Sequence, residues 1–92
     1  MEIESISHKA LRRFVETGKP KGLPGDLVGR LFKMIIDAET LDELSTPPNY
    51  GLHPLNGDRA GTWAMTVTRN WRLTFSIDEQ GAVADLDLED YH

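Results

Sequence analysis

The chain has 92 residues, no cysteine and a formal net charge of −5, from 10 basic and 15 acidic residues. This length suits a single domain over residues 1–92, and the lack of cysteine excludes disulfide frameworks, Cys-ligated zinc and thiol nucleophiles. No apolar run approaches the length of a membrane span or a signal peptide, so the sequence predicts a cytoplasmic domain with no membrane partner.

The first half of the chain predicts two helices. Residues 7–17 carry apolar side chains at helical spacing, with Ser7 as the N-cap and Gly18 as the stop signal. Residues 26–38 contain two adjacent i, i+4 rows of apolar side chains, which together form a wide stripe for burial. Glycine and proline make the stretch between the two segments irregular.

The second half changes to a period of two. Residues 62–67, 71–77 and 82–88 alternate between apolar and polar side chains and are separated by short polar turns. This pattern predicts an antiparallel meander with one covered face and one exposed face, and residues 1–6 are predicted as an additional edge strand. In the last two strands the predicted covered positions are Trp71, Leu73, Phe75, Ile77, Ala82, Ala84, Leu86 and Leu88. The expected fold class is α+β, with two N-terminal helices packed on a three- to four-stranded, mainly antiparallel sheet.

Strand register predicts a cluster of reactive groups. A four-residue turn between the last two strands would place Arg72 across from Asp87, and Arg69 near the start of the C-terminal Asp90-Tyr91-His92 segment. A guanidinium, a carboxylate, a phenol and an imidazole then share one end of the sheet. Such groups can cleave RNA without a metal ion, through proton transfers and stabilisation of phosphorane charge. The same residues also fit a plain Arg72–Asp87 ion pair beside a solvated C-terminus.

His53 is a second candidate, and it lies in a segment rich in turn-forming residues. The predicted meander keeps His53 away from Asp90. The three histidines have no i, i+4 or H-x-E spacing, so the sequence predicts no metal site and no cofactor. The acidic net charge argues against nucleic acid as a partner, but it is unevenly distributed. Residues 50–75 contain three arginines and one acid, whereas residues 76–92 contain six acids and no Lys or Arg.

Three segments in this order resemble the HigB toxins, the plasmid-maintenance killer branch of the RelE/ParE superfamily. They are residues 52–63 (LHPLNGDRAGTW), 70–75 (NWRLTF) and 89–92 (EDYH), and residues 13–19 are also similar to that branch. The resemblance implies a RelE-like fold and ribosome-dependent cleavage of mRNA by a metal-independent endoribonuclease. It also implies neutralisation by a HigA-like helix-turn-helix antitoxin, through which any contact with DNA would be indirect.

The resemblance also implies roles for individual residues. The positions that the family uses at its cleavage site are His53, Arg72, Asp90, Tyr91 and His92, and the division of base and acid roles among the last three and His53 stays open. The expected RNA-binding residues are Asn56, Arg59 and Arg69. Arg59 matches a G-[DN]-R element, in which its role is either RNA contact or anchoring of the loop. Asn56 stands where many members have a lysine that contributes charge to the phosphate.

Two other functions remain open at this stage. The first is a ParE-like toxin that binds a protein such as DNA gyrase and cleaves nothing, although such a binder has no need of the C-terminal Asp90-Tyr91-His92 segment. The second is a degenerate member that binds only its antitoxin, which Asn56 and the acids of the last strand favour. We expect the endoribonuclease because all three similar segments are present together.

Overall fold

The computed structural model describes residues 1–90, and within them the chain forms three helices followed by a four-stranded sheet. The helices are α1 (Lys9–Thr17), α2 (Leu27–Asp37) and α3 (Leu41–Ser45). The strands are β1 (His53–Pro54), β2 (Thr62–Thr66), β3 (Trp71–Ile77) and β4 (Val83–Asp90), with a short 3₁₀ turn over Gly57–Arg59 between β1 and β2. All neighbouring strands are antiparallel, in the order β1-β2-β3-β4. The predicted α+β class is therefore confirmed.

The start of α1 differs from the prediction by one residue. His8 is the N-cap, and its Nδ1 accepts a hydrogen bond from the Leu11 amide at 3.2 Å. Ser7 is not the cap, because its amide donates to the Leu86 carbonyl of β4 at 2.8 Å and the chain is still bound to the sheet there. The predicted stop at Gly18 is confirmed, since this residue has φ 74° and donates to the Phe14 carbonyl.

Both long helices pack on one face of the sheet. The buried side chains of α1 and α2 form one cluster with those of the last three strands: Leu11, Val28, Leu31, Phe32, Ile35, Met65, Leu73, Phe75, Val83, Leu86 and Leu88. The rings of Phe14 and Phe32 meet edge to face at 6.5 Å, which ties α1 to α2. Gly29 lets this pair approach closely, because a Cβ there would lie 3.1 Å from the Phe14 ring.

The N-terminal segment covers the outer edge of β4. Isolated parallel bridges join Ile3 to Val83 and Ile6 to Leu86, and four backbone hydrogen bonds accompany them. The predicted edge strand over residues 1–6 is thus present only as two bridges. Covering the edge matters because exposed strand edges can pair with other chains.

The turn between β3 and β4 is one residue longer than predicted. Ile77 pairs with Val83 and not with Ala82, so the turn contains residues 78–82. The Asp78 carboxylate accepts from the amides two and four residues later, at 2.9 and 2.8 Å. Gly81 has φ 84°, which suits a residue without a Cβ. This side-chain bonding stabilises the five-residue turn.

A β-bulge in β4 shifts the register again. Between Ala84 and Asp87, two residues of β4 stand opposite the single residue Phe75 of β3. One of the two, Asp85, has φ 52°, a left-handed conformation that Asp tolerates better than most residues. Because of the extra residue, odd-numbered side chains of β4 face the helices before the bulge and even-numbered ones face them after it.

The bulge explains where the predicted burial pattern is right and where it is wrong. Leu86 and Leu88, after the bulge, are buried as predicted. Before the bulge, Val83 is fully buried, whereas Ala82 and Ala84 are only half-buried. After both shifts the residue opposite Arg72 is Glu89.

Candidate active site

The face of the sheet away from the helices carries mostly polar side chains, arranged in rows across the strands. Side chains that are directly paired across antiparallel strands lie on the same face. One row consists of His53, Ala64, Thr74 and Asp87, and the neighbouring row consists of Thr66, Arg72 and Glu89. We call this surface the outer face. Arg72 was predicted to point outward, and the structure confirms it.

The Glu89 carboxylate is the centre of a hydrogen-bond network on the outer face. Arg59 binds it through two hydrogen bonds, from Nη1 to Oε1 at 2.6 Å and from Nη2 to Oε2 at 2.5 Å. Arg72 Nη2 donates to Oε1 at 3.3 Å, and Thr74 Oγ1 donates to Oε2 at 2.6 Å. The predicted ion pair between Arg72 and Asp87 is wrong, because the longer turn and the bulge bring Glu89 to that position.

Thr74 is buried although it lies on the outer face. It was predicted to be exposed, but it is 1% exposed and is the one buried polar residue among residues 1–90. A buried hydroxyl without a hydrogen bond is costly, and the bond to Glu89 satisfies it. The hydrogen-bond network around Glu89 therefore includes a donor that solvent does not reach.

The surroundings of Glu89 keep its carboxyl ionised. The hydrogen bonds from Arg59 are the largest cause, and with Thr74 and Arg72 they lower the pKa of Glu89 from 4.5 to about 2, against an opposing effect of burial. Glu89 in turn raises the pKa of Arg59. At neutral pH the three charged groups of the cluster carry a net charge of +1.

This lowered pKa predicts acid sensitivity. A carboxyl whose pKa is lower in the folded than in the unfolded protein stabilises the fold above pH 4.5, and this stabilisation is lost as the pH falls towards 2. Glu89 is 21% exposed and Arg59 is 43% exposed, so solvent screening reduces the effect. We expect the free energy of unfolding to fall by about 1–3 kcal/mol from this group.

Urea unfolding between pH 6 and pH 2 measures this loss. Glu89→Gln is expected to be less stable than the parent at pH 6 and to have a shallower pH dependence. Asp87→Asn is the matched control. It removes a carboxylate from the same face, and within residues 1–90 Asp87 forms no hydrogen bond with an arginine. Parallel pH curves for Glu89→Gln and the parent would contradict the assignment.

His53 lies on the outer face, on the edge strand β1. Its Nδ1 is 2.8 Å from the Gly51 carbonyl oxygen. A carbonyl can only accept, so Nδ1 carries the hydrogen of this bond and Nε2 is left for proton transfer. The ring is exposed, and its row is adjacent to that of Arg72, two strands away. The register keeps His53 apart from Asp90, as predicted.

Of the three C-terminal candidates, Asp90 is within the described residues. Asp90 pairs with Trp71, at the predicted end of the sheet, but alternation along β4 places it on the opposite face from Arg72. Tyr91 and His92 lie outside the described residues. Arg69 is exposed in the turn between β2 and β3, at the end where Asp90 lies.

Asn56 and Arg59 belong to the loop between β1 and β2. Asn56 is exposed and directly precedes the 3₁₀ turn, to which its backbone carbonyl contributes. Arg59 ends that turn and reaches Glu89 on β4, 30 residues later in the chain. The contact favours the anchoring role for Arg59.

Glu89 and Thr74 were not predicted as site residues. One signal was present in the sequence: residues 50–75 contain three arginines and only Asp58 as a counter-charge, which favours an ion pair with an acid from another segment. Within residues 1–90, no three His, Asp or Glu side chains form a group that could hold a metal ion. The helices of the same residues are all too short or too polar to cross a membrane.

Comparison with known proteins identifies the family. The family model described as "RelE-like toxin of type II toxin-antitoxin system HigB" matches residues 4–92. The curated Endoribonuclease HigB of Proteus vulgaris is 39% identical over 92 residues, which cover 98% of this chain and 99% of that protein. A solved YoeB/ParE toxin from Agrobacterium tumefaciens is 18% identical, with a TM-score of 0.47, over 98% of this chain and 94% of its own. The chain therefore belongs to the HigB-like family of RelE-like toxins of type II toxin–antitoxin systems.

Proposed function

We propose that this toxin cleaves mRNA on the ribosome, without a metal ion, by using the 2′-hydroxyl of the RNA as the nucleophile. Its membership of the HigB-like family and its similarity over the full length to a protein named Endoribonuclease HigB make it an endoribonuclease toxin. The observation that carries the proposed mechanism is Arg72, a half-buried cation on the outer face. A cation fixed in this way can bind a phosphate at small cost in side-chain entropy.

The reaction is a transfer within the RNA. The 2′-oxygen attacks the adjacent phosphorus as a base removes its proton, and the bond from phosphorus to the 5′-oxygen breaks as an acid protonates that oxygen. The products are a 2′,3′-cyclic phosphate and a 5′-hydroxyl. Arg72 stabilises the extra negative charge on the phosphorane. The proton-transfer groups are drawn from the candidates His53, Asp90, Tyr91 and His92. His53 offers its Nε2 on the same face as Arg72, whereas the Asp90 side chain starts from the opposite face of β4.

Charge distribution indicates where the RNA lies. Asp85, Asp87 and Glu89 line a small polar cleft of about 160 Å³ on the β4 side of the outer face. Carboxylates repel phosphates, so the RNA lies on the side of β1, β2 and β3. Asn56 and Arg69 are both exposed there and contact the RNA backbone, while Arg59 holds the loop in place.

The partners follow from the type of system. A type II toxin has an antitoxin, and here we propose a HigA-like helix-turn-helix protein that alone contacts DNA. The other partners are the ribosome and its mRNA, which place the toxin in the cytoplasm.

Mapping of mRNA ends with and without ribosomes tests the proposed function. We expect fragments only when ribosomes are present, with a 2′,3′-cyclic phosphate or 3′-phosphate on one side and a 5′-hydroxyl on the other. A transcript with a 2′-deoxynucleotide at the mapped position is expected to remain intact.

Other products would contradict the proposal in distinct ways. Cleavage of the 2′-deoxy transcript, or 3′-hydroxyl ends, would require an external water as the nucleophile. A toxin that arrests growth but produces no fragments in either condition would favour the ParE-like alternative, which binds a protein target.

A further inference from the structure

We infer that Glu89 is a positioning residue, which orients the Arg72 guanidinium and ties the loop over Gly57–Arg59 to the end of β4. This inference rests on the proposed function, because it concerns the geometry in which Arg72 meets the phosphate. The observation behind it is one carboxylate that accepts four hydrogen bonds from three side chains, carried by the loop and by β3.

The contacts of Glu89 fix the loop over Gly57–Arg59 relative to the end of β4. Arg59 is held by two parallel hydrogen bonds, a geometry that restrains the direction as well as the distance of the guanidinium. The loop that Arg59 ends also contains Asn56, and it connects to His53 through residues 54–55. Glu89 directly precedes Asp90, so the same carboxylate joins the loop to the start of the C-terminal segment.

The hydrogen bond to Arg72 restricts the rotation of its guanidinium. Arg72 is 20% exposed, and Glu89 is its cross-strand neighbour, so the contact comes from strand pairing and not from a chance approach of two long side chains. Thr74 fixes the carboxylate in turn, because its buried hydroxyl donates to Oε2. Glu89 therefore acts through Arg72 and Arg59 and does not itself contact the RNA.

A purely electrostatic role would have the opposite effect from a positioning role. If Glu89 only lowered the positive charge of the outer face, its removal would strengthen RNA binding and raise activity. If Glu89 positions Arg72, its removal leaves the cations present but misdirected, and the rate of the chemical step falls. The two roles thus predict opposite changes in kcat/KM, and only the positioning role predicts a fall in kcat.

The experiment compares Glu89→Gln with Asp87→Asn in initial-rate assays at several concentrations of mRNA-programmed ribosomes. Each variant removes one negative charge from the outer face, but only Glu89 binds Arg59 and Arg72. We expect Glu89→Gln to lower kcat by about 10- to 100-fold without raising KM, and Asp87→Asn to keep the parent kcat. The pH profile of kcat is expected to keep its shape in Glu89→Gln, because Glu89 transfers no proton.

Several outcomes would overturn the inference. They are an unchanged or higher kcat in Glu89→Gln, an equal loss in Asp87→Asn, and the loss of one limb of the pH profile. If Glu89→Gln does not fold, Glu89→Asp is measured in its place, and its shortened side chain is expected to lower kcat and leave KM unchanged. An unaltered kcat in Glu89→Asp would then be decisive against a positioning role.

The parent toxin in the same assay separates the two proposals. If the parent does not cleave ribosome-bound mRNA, the proposed function is wrong. If the parent cleaves and Glu89→Gln cleaves equally well while folded, only the positioning role is wrong.

Discussion

Arg72→Ala is expected to lower the rate of mRNA cleavage by roughly 30- to 1000-fold and to leave the protein folded. The loss corresponds to about 2–4 kcal/mol of transition-state stabilisation, the usual value of a fixed donor that meets developing charge. The fold is expected to persist because Arg72 lies on the outer face, away from the helices. The Glu89 carboxylate also keeps its bonds from Arg59 and Thr74.

Two matched variants make the Arg72→Ala measurement specific. Arg72→Lys keeps the charge but not the planar fork, and it is expected to recover only part of the rate. Arg30→Ala removes the same charge from an exposed position on α2, behind the sheet, and is expected to cleave normally. Full activity of a folded Arg72→Ala protein, judged by its melting temperature, would remove Arg72 from the mechanism.

Phe75→Ala is expected to lower the free energy of unfolding by about 3–5 kcal/mol. Phe75 is 1% exposed and lies in the cluster between the sheet and the helices, so the shorter side chain leaves a cavity. Small domains have a total stability of about 5–15 kcal/mol, so a large share of it would be lost. Urea unfolding at constant pH gives the difference directly.

Val15→Ala is the control for Phe75→Ala. Val15 is an apolar residue that is 44% exposed on α1, and its truncation is expected to cost less than about 1 kcal/mol. Trp71 is only half-buried at the start of β3. The loss of stability in Trp71→Ala is therefore expected to lie between those of Phe75→Ala and Val15→Ala. Equal stability of Phe75→Ala and Val15→Ala would contradict the packing of β3 against the helices.

Local sequence patterns predicted most of the fold. The apolar stripe of residues 26–38 predicted α2, which spans Leu27–Asp37, and the alternation in residues 71–77 predicted the bounds of β3. Both segments owe their structure to burial of one face, and this leaves a periodic signal in the sequence. The similarity of residues 52–63, 70–75 and 89–92 to one family was sufficient to predict the family itself.

Strand register could not be predicted in the same way. It depends on a turn whose length is set by hydrogen bonds from one side chain, Asp78, and on a bulge at Asp85, neither of which interrupts the alternation clearly. A shift of one residue exchanges the two faces of a strand. As a result, Arg72 was predicted correctly as an outward cation, but Glu89 was missed as its partner.

The bulge also determines where β4 can change in length. If Asp85 were deleted, Leu86 would stand alone opposite Phe75, and the pairs of Thr74 with Asp87 and Arg72 with Glu89 would be unchanged. Deletion of Asp87 with the bulge retained would instead place Leu88 on the outer face and turn Glu89 towards the helices. A β4 strand that is one residue shorter is therefore compatible with the same site when the residue lost is the extra one of the bulge.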